Sequence, residues 1–276
     1  MTDRYIDLLK RCLTREIYLD QEFEDVVAWP VGDGPLGDPE LVWPVLKRAG
    51  MRIVRPKQDL EARQTGRDWP MFAETMAGTA RVDNVDHLVR TAIGDGVPGD
   101  LVETGVWRGG LVVLMRALLD SLGDTERTVW ACDSFEGLPT PDTDRYPADA
   151  AHAVDDDLWV ETAVSLDQVK ANIDRYGLLD DRIRFVEGWF KDTLPDAPIE
   201  QIAVLRLDGD LYESTMDALV ALEPRVSPGG FVIVDDYNSW EPCRQAVDEY
   251  RQAHGVTDEI HEIDWTGVWW RKAAGS

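Results

Sequence analysis

The chain has 276 residues, 44% of them apolar, with 53 acidic against 28 basic side chains and a net charge of −25. So acidic a surface repels phosphate backbones and anionic lipid, which sets nucleic acid and membranes aside as partners and keeps the protein in solution. Three scattered cysteines (Cys12, Cys132, Cys243) without a C-x-x-C pair, a charged amino terminus and no long apolar run exclude a disulfide framework, a zinc site, a signal peptide and a membrane span, and suit the cytoplasm.

Residues 1–78 differ from the rest and read as an amino-terminal arm or cap. "DRYIDLLKRCLTREIY" places Tyr5, Leu8, Leu9, Cys12 and Leu13 on one helical face. "WPVGDGPLGDPELVWP" (29–44) is dense in Gly and Pro and reads as loop. Trp29, Trp43 and Trp69 need cover, which an arm lying over the main domain would supply.

From about residue 80 strands and helices alternate. A helix over 82–93 precedes the strand 99–106 and the helix 109–122. A strand over 128–135 leads into a polar, Pro- and Asp-rich loop, 137–160. The helix 165–177, strands 183–190 and 202–208, helix 212–226, strand 229–237 and helix 241–254 follow. Two short strands in "TDEIHEID" and "GVWWRK" end the chain. Repeated alternation predicts an α/β fold with a mostly parallel sheet covered on both faces. The last two strands, with no helix between them, should pair antiparallel at one edge.

Ligands of such sheets bind outside the carboxyl ends of the strands. Collected there are Glu103 and Gly105, Asp133 and Ser134, Glu187 and Gly188, Asp208 and Asp210, and Asp235 and Asp236. In "ETGVWRGG", Gly105, Gly109 and Gly110 let the chain turn sharply and let a ligand approach the backbone. The spacing is not G-x-G-x-x-G, and Glu103 would repel a pyrophosphate. S-adenosylmethionine suits the stretch better, because its ammonium and sulfonium are cations. Asp133, 28 residues past Gly105, is placed to accept from two ribose hydroxyls; the plainer reading makes Gly105 a tight turn and Asp133 a helix cap.

Asp208 lies 27 residues before Asp235, one strand–helix–strand unit. On neighbouring strands, roughly 5 Å apart, Asp208, Asp235 and Asp236 would converge and repel, and a divalent cation relieves that. Oxygen ligands suit Mg2+, with Ca2+ or Mn2+ as options. His87, His152, His254 and His261 are scattered and form no competing cluster. A cation beside a methyl donor would help an alcohol lose its proton, with two adjacent hydroxyls of the acceptor chelating it, and Asp210 is a candidate to receive the proton. Capping of the helix that starts near Tyr212 is the competing role for Asp210.

"DLVETGVWRGG", "DSFEGLPTPD", "RYGLLDDRIRFVEGWFKDTLP", "LRLDGDLYESTMDAL", "SPGGFVIVDDY" and "IDWTGVWWRK" resemble the macrocin O-methyltransferase family from about residue 70 to the end. The resemblance implies a Rossmann-like class I methyltransferase fold over 79–276. It also implies dependence on Mg2+ and S-adenosylmethionine, a sugar hydroxyl on an antibiotic or related natural product as acceptor, and a homodimer. It places the metal on Asp208, Asp235 and Asp236 and makes Asp210 the base. Thr75 and Met76 of "TMAG", Glu103, Gly105, Trp107, Gly109, Asp133, Ser134 and Gly188 would line the cofactor site. The loop 137–160 would be a lid over the substrate, and Trp265, Trp269 and Trp270 either face an apolar aglycone or pack an edge strand. Residues 20–68 match the family pattern poorly, so the acceptor is the part least carried over.

Three other readings compete. A metal-dependent glycosyltransferase would use Asp208-Gly209-Asp210 as a D-x-D motif, but leaves Asp235–Asp236 unexplained. A nicotinamide-dependent oxidoreductase conflicts with the glycine spacing. A non-catalytic binding protein on the same fold would have no need of the intact aspartates.

Overall fold

Five apolar runs become the parallel strands of a seven-stranded sheet in the computed structural model, which describes residues 2–25, 39–51, 53–68, 70, 72–152 and 162–273. In chain order these are β3 (Asp100–Thr104), β4 (Val129–Asp133), β5 (Ile183–Glu187), β6 (Ile202–Leu207) and β7 (Val226–Val234). The sheet order is β5-β4-β3-β6-β7-β9-β8, with β8 (His261–Glu262) and β9 (Val268–Arg271) forming the antiparallel edge foreseen from the sequence. Every residue of β6 is buried, because a strand at the centre of a sheet covered on both faces meets no solvent.

Helices occupy both faces. One core holds Ile6, Leu9 and Leu13 of α1 (Thr2–Leu13), the inner faces of α4 (Thr79–Gly94) and α5 (Gly110–Leu122), and Val169 and Ile173 of α6 (Leu166–Arg175). The other holds Ala218, Leu219 and Leu222 of α8 (Tyr212–Leu222), which follows the short α7 (Phe190–Thr193), Val247 and Tyr250 of α9 (Glu241–His254), and Trp270. Side chains alternate along each strand, so Leu101 enters the first core and its neighbour Val102 the second. α5 is buried over all of Gly110–Leu119, which is why its sequence is apolar with little polar face.

Two expectations for the arm change. α1 buries Ile6, Leu9 and Leu13, whereas Tyr5 and Leu8 stay about half exposed. The docked face is centred one residue further round than the apolar count suggested, since Leu9 and Leu13 share a stripe with Ile6. The second part of the span expected as loop, 39–44, instead begins a helix, α2 (Pro39–Arg48). Pro39 sits in the first turn, where its missing N–H costs nothing, and the run Leu41-Val42-Trp43 then reads as helix despite Pro44. Residues 26–38, with Trp29, lie outside the described residues, as do Trp69 and 153–160 of the expected lid. A short helix, α3 (Leu60–Thr65), is capped by Asp59 and ends at Gly66. Phe23–Asp25 (β1) pairs antiparallel with Val54–Pro56 (β2).

Candidate functional site

Strain marks one rim of the sheet. Three residues other than glycine adopt a left-handed backbone just past strand ends: Trp107 (φ 46°) after β3, Phe135 (φ 57°) after β4 and Asp210 (φ 56°) after β6. Each costs about 1–2 kcal/mol, which the surrounding structure must hold in place. Gly105 shows why glycine is required there. Its φ is +82°, and a Cβ would run into the Asp208 carbonyl oxygen. The exits of β3 and β6 therefore touch backbone to backbone, and the Asp208 amide donates to Thr104 O at 2.9 Å. At Gly110 a Cβ would lie 2.5 Å from Glu74 O, and its amide donates to that oxygen at 2.9 Å. The segment before α4 thus crosses the amino terminus of α5.

A two-lobed cavity opens on this rim. The first lobe, about 290 Å³, is bounded by Asp133, Ser134, Leu138, Trp189, Phe190 and Glu213, among others. The second, about 210 Å³, is bounded by Thr75, Glu103, Asp235, Asp236, Trp240 and Trp265, among others. Met76, Gly105, Trp107, Asp208 and Asp210 border both lobes. Gly109 and Gly188 border neither. Gly109 faces Val169 and Ile173, and the Gly188 amide donates to Asp133 O at 2.9 Å.

Asp133 does not cap a helix. Its two oxygens accept from the Val106 amide (2.7 Å) and the Phe135 amide (2.8 Å), tying the turns after β3 and β4 together. Burial pushes its carboxyl up despite hydrogen bonds from these amides, from that of Trp107 and from the Ser134 hydroxyl. Thr75 is buried, its hydroxyl accepting from the Ala77 amide at 3.1 Å. Ser134 donates to Gly137 O at 2.7 Å, which shapes the start of the following loop.

Asp208, Asp210 and Asp236 bring carboxylate oxygens within 4.8 Å of one another. Burial raises all three: Asp210 is pushed up to about 8 by burial and then by the charges of Asp208 and Asp235, burial and then the charges of Asp210 and Asp208 lift Asp236 well above the usual range, and burial raises Asp208 despite the opposing Arg206. Asp235 is different. It accepts from Arg206 through one oxygen and from Arg81 through the other. Although burial opposes it, the two guanidiniums hold its carboxyl below the ordinary value. The expected trio Asp208, Asp235 and Asp236 is thus divided, with Asp235 joined to the cations and Asp210 to the cluster.

Arg206 and Arg81 were not foreseen as part of the site. Arg206 is 3% exposed and also binds Glu103 (2.7 Å) and Asp208 (2.8 Å). Its signal was present: one arginine inside the wholly apolar run of β6 must be buried, and a buried guanidinium needs carboxylates. Arg81 also donates to Asp264 at 3.0 Å, linking α4 to the turn before β9. Glu103, pushed up to about 8 by burial against the pull of Arg206, keeps one oxygen, Oε2, with no hydrogen-bond partner among the described residues; Asp236 Oδ2 is in the same state. Of the three late tryptophans, Trp270 is fully buried and Trp269 packs edge-on against Phe231. Trp265 is 40% exposed at the cavity, donates from Nε1 to Thr65 O (2.7 Å) and lies under the Arg67 guanidinium.

A parallel five-strand sheet with an antiparallel edge beyond β7, a glycine turn after β3 and an acid closing β4 define a class I methyltransferase fold. The model of the family Macrocin-O-methyltransferase (TylF) matches residues 2–272, and the chain belongs to that family of methyltransferases. It is 50% identical over 279 residues to 8-demethyl-8-(2,3-dimethoxy-alpha-L-rhamnosyl)-tetracenomycin-C 4'-O-methyltransferase of Streptomyces olivaceus, covering 99% of this chain and 94% of that one. It is 52% identical over 217 residues to mycinamicin III 3''-O-methyltransferase of Micromonospora griseorubida, covering 78% and 84%. The solved O-methyltransferase NovP superposes with a TM-score of 0.84 at 43% identity, over 99% of this chain and 100% of that one. Membership sets aside the glycosyltransferase, oxidoreductase and non-catalytic readings. No described helix is long and apolar enough to cross a membrane.

Proposed function

We propose that the protein transfers the methyl group of S-adenosylmethionine to a sugar hydroxyl on a glycosylated natural product, assisted by a divalent cation. The observation that carries this reading is the cluster of Asp208, Asp210 and Asp236 at the junction of the two cavity lobes. The relative whose name prints a rhamnosyl group and 4'-O-methylation supports the acceptor class.

The cofactor belongs to the lobe bounded by Asp133 and Ser134, with Gly105, Met76 and Trp107 as the wall shared with the acceptor lobe. Asp133 would accept from the ribose hydroxyls while its backbone partners keep it in place. The donor's amino-acid end would reach past that shared wall into the second lobe, where the unpartnered oxygen of Glu103 would accept from its ammonium beside Thr75. Gly109 and Gly188 contribute through the turns they permit rather than by lining the cavity.

The donor set fits a hard cation. It consists of carboxylates alone, one oxygen of Asp236 is buried without a partner, and the cluster is otherwise too repulsive to ionise fully. Asp208 and Asp236 would hold the ion with Asp235, whose oxygens are shared with Arg81 and Arg206. When bound, Mg2+ supplies the positive charge that keeps these carboxylates ionised and favours loss of the acceptor's proton. Asp210, on the shared wall, would take that proton as the acceptor oxygen forms its bond to the methyl carbon and the carbon–sulfur bond breaks, leaving S-adenosylhomocysteine. Trp240 and Trp265 would flank the acceptor, and the arm through Gly66 would close the top of its lobe. In this reading residues 1–78 are a cap on the catalytic domain 79–276, the loop from 137 borders the cofactor lobe, and the enzyme works as a soluble homodimer in the cytoplasm.

Calorimetry with S-adenosylhomocysteine, NAD and a nucleotide-sugar, each with and without Mg2+, tests the class. Binding of S-adenosylhomocysteine alone supports the reading. Binding of the nucleotide-sugar instead would overturn it.

A further inference from the structure

The helix that follows Asp210 has no cap of its own. α8 begins at Tyr212, and its N-cap residue, Leu211, offers no side-chain acceptor. The orphan amides at such an end need a partner when buried. They find one 63 residues back: the Tyr212 amide donates to Asp149 Oδ1 at 2.7 Å and the Glu213 amide to Asp149 Oδ2 at 3.2 Å. Asp149 is fully buried and sits in the 3-10 turn Pro147–His152, inside the loop after β4. Tyr146 of the same loop packs its ring 5.6 Å from that of Tyr212, and Tyr212 in turn donates to Glu249 of α9 at 2.6 Å.

The acid nearest in sequence for this capping is Asp210. Its carboxylate is directed instead to Asp208 and Asp236, and it holds a left-handed backbone to get there. An aspartate beside uncapped helix amides would ordinarily turn its oxygens onto them. The capping carboxylate supplied from the loop removes that alternative.

We infer that Asp149 is a positioning residue for the reaction: by capping α8 from the loop after β4 it leaves the Asp210 carboxylate free to face the acidic cluster. The inference rests on the function proposed for Asp210 above. It also explains why the loop that borders the first lobe is tied to the helix that follows Asp210.

The test compares Asp149→Ala and Asp149→Asn with the wild-type chain. Crystal structures show where the Asp210 carboxylate lies, hydrogen exchange follows the Tyr212 and Glu213 amides, and initial rates use the rhamnosylated tetracenomycin acceptor named above. In Asp149→Ala, the two amides should exchange about tenfold faster and Asp210 should turn toward them. Turnover should fall about tenfold, with S-adenosylhomocysteine affinity changed less than twofold. Asparagine keeps one acceptor and should fall between the two; should the alanine chain not fold, the asparagine variant carries the same readouts. An Asp210 carboxylate still grouped with Asp208 and Asp236 in the variant would overturn the inference, as would faster amide exchange with undiminished turnover. A wild-type chain that does not methylate this acceptor tells against the proposed acceptor, while the position of Asp210 in the variant structure still decides the role of Asp149.

Discussion

Replacing Arg206 with methionine removes a cation that three carboxylates share. Arg206 is 3% exposed and binds Glu103, Asp208 and Asp235. Breaking a buried ion pair by deleting one partner costs about 3–5 kcal/mol, because the other charge is left unpaired in a poor solvent. The lower half of that range applies here, since Glu103, at about 8, already carries its proton at neutral pH and Asp235 keeps Arg81. At about 2–4 °C per kcal/mol for a chain near this size, the melting temperature at pH 7 should drop by roughly 6–16 °C. Millimolar Mg2+ should restore part of the loss, and restore more in the variant than it adds to the wild type, because the variant's carboxylates have lost a competing cation. Differential scanning fluorimetry with and without Mg2+ measures both effects. A drop below about 2 °C would refute the argument, showing that the carboxylates are protonated or solvated and do not depend on Arg206.

Gly105→Ala should weaken S-adenosylhomocysteine binding more than about tenfold, since the new Cβ displaces the Asp208 backbone and the position has φ +82°; calorimetry showing unaltered affinity would contradict the close approach of the two strand ends. Asp208→Asn should abolish methyl transfer, and unchanged turnover in that variant rules out its proposed role with the cation. Asp210→Asn should slow turnover by about 10²–10⁴, the usual worth of a positioned acid or base, with little change in cofactor affinity measured by titration. Asp217 concerns pH. Burial, then the nearby Glu213, raises its carboxyl to about 6, so the folded state holds a proton that the unfolded chain releases earlier. Its contribution is therefore present below the ordinary value and is lost as pH rises to about 6. Asp217→Asn should gain stability relative to wild type above that window and none below it in urea titrations, and parallel pH curves for the two would contradict this.

What could be read from the sequence was what its local chemistry states. Alternating apolar runs located the five parallel strands and the antiparallel edge, because a sheet buried on both faces writes its strands as continuous Val, Ile and Leu. Strand ends then gathered Asp133, Asp208 and Asp236, since a parallel sheet brings the ends of all its strands to one side. The contacts that could not be read join distant segments. Nothing near Leu211 announces that Asp149 caps its helix, and nothing near Arg81 says that it reaches Asp235. The division of the acidic residues between a guanidinium-bound Asp235 and the group of Asp208, Asp210 and Asp236 depends on those long-range partners. In the arm, α1 turns Ile6 inward and leaves Leu8 outside because the groove beside α4 and α5 selects one stripe from a helix with apolar residues on more than one side.

The most direct test of the account is methyl transfer itself. The protein is incubated with S-adenosylmethionine bearing a labelled methyl group and with 8-demethyl-8-(2,3-dimethoxy-alpha-L-rhamnosyl)-tetracenomycin C, in Mg2+ or in excess chelator, and the product is followed by mass spectrometry. The account predicts a single labelled methyl on the sugar, formed in Mg2+ and lost in chelator. Label on the aglycone, or labelling of the sugar that proceeds unchanged in chelator, would contradict it.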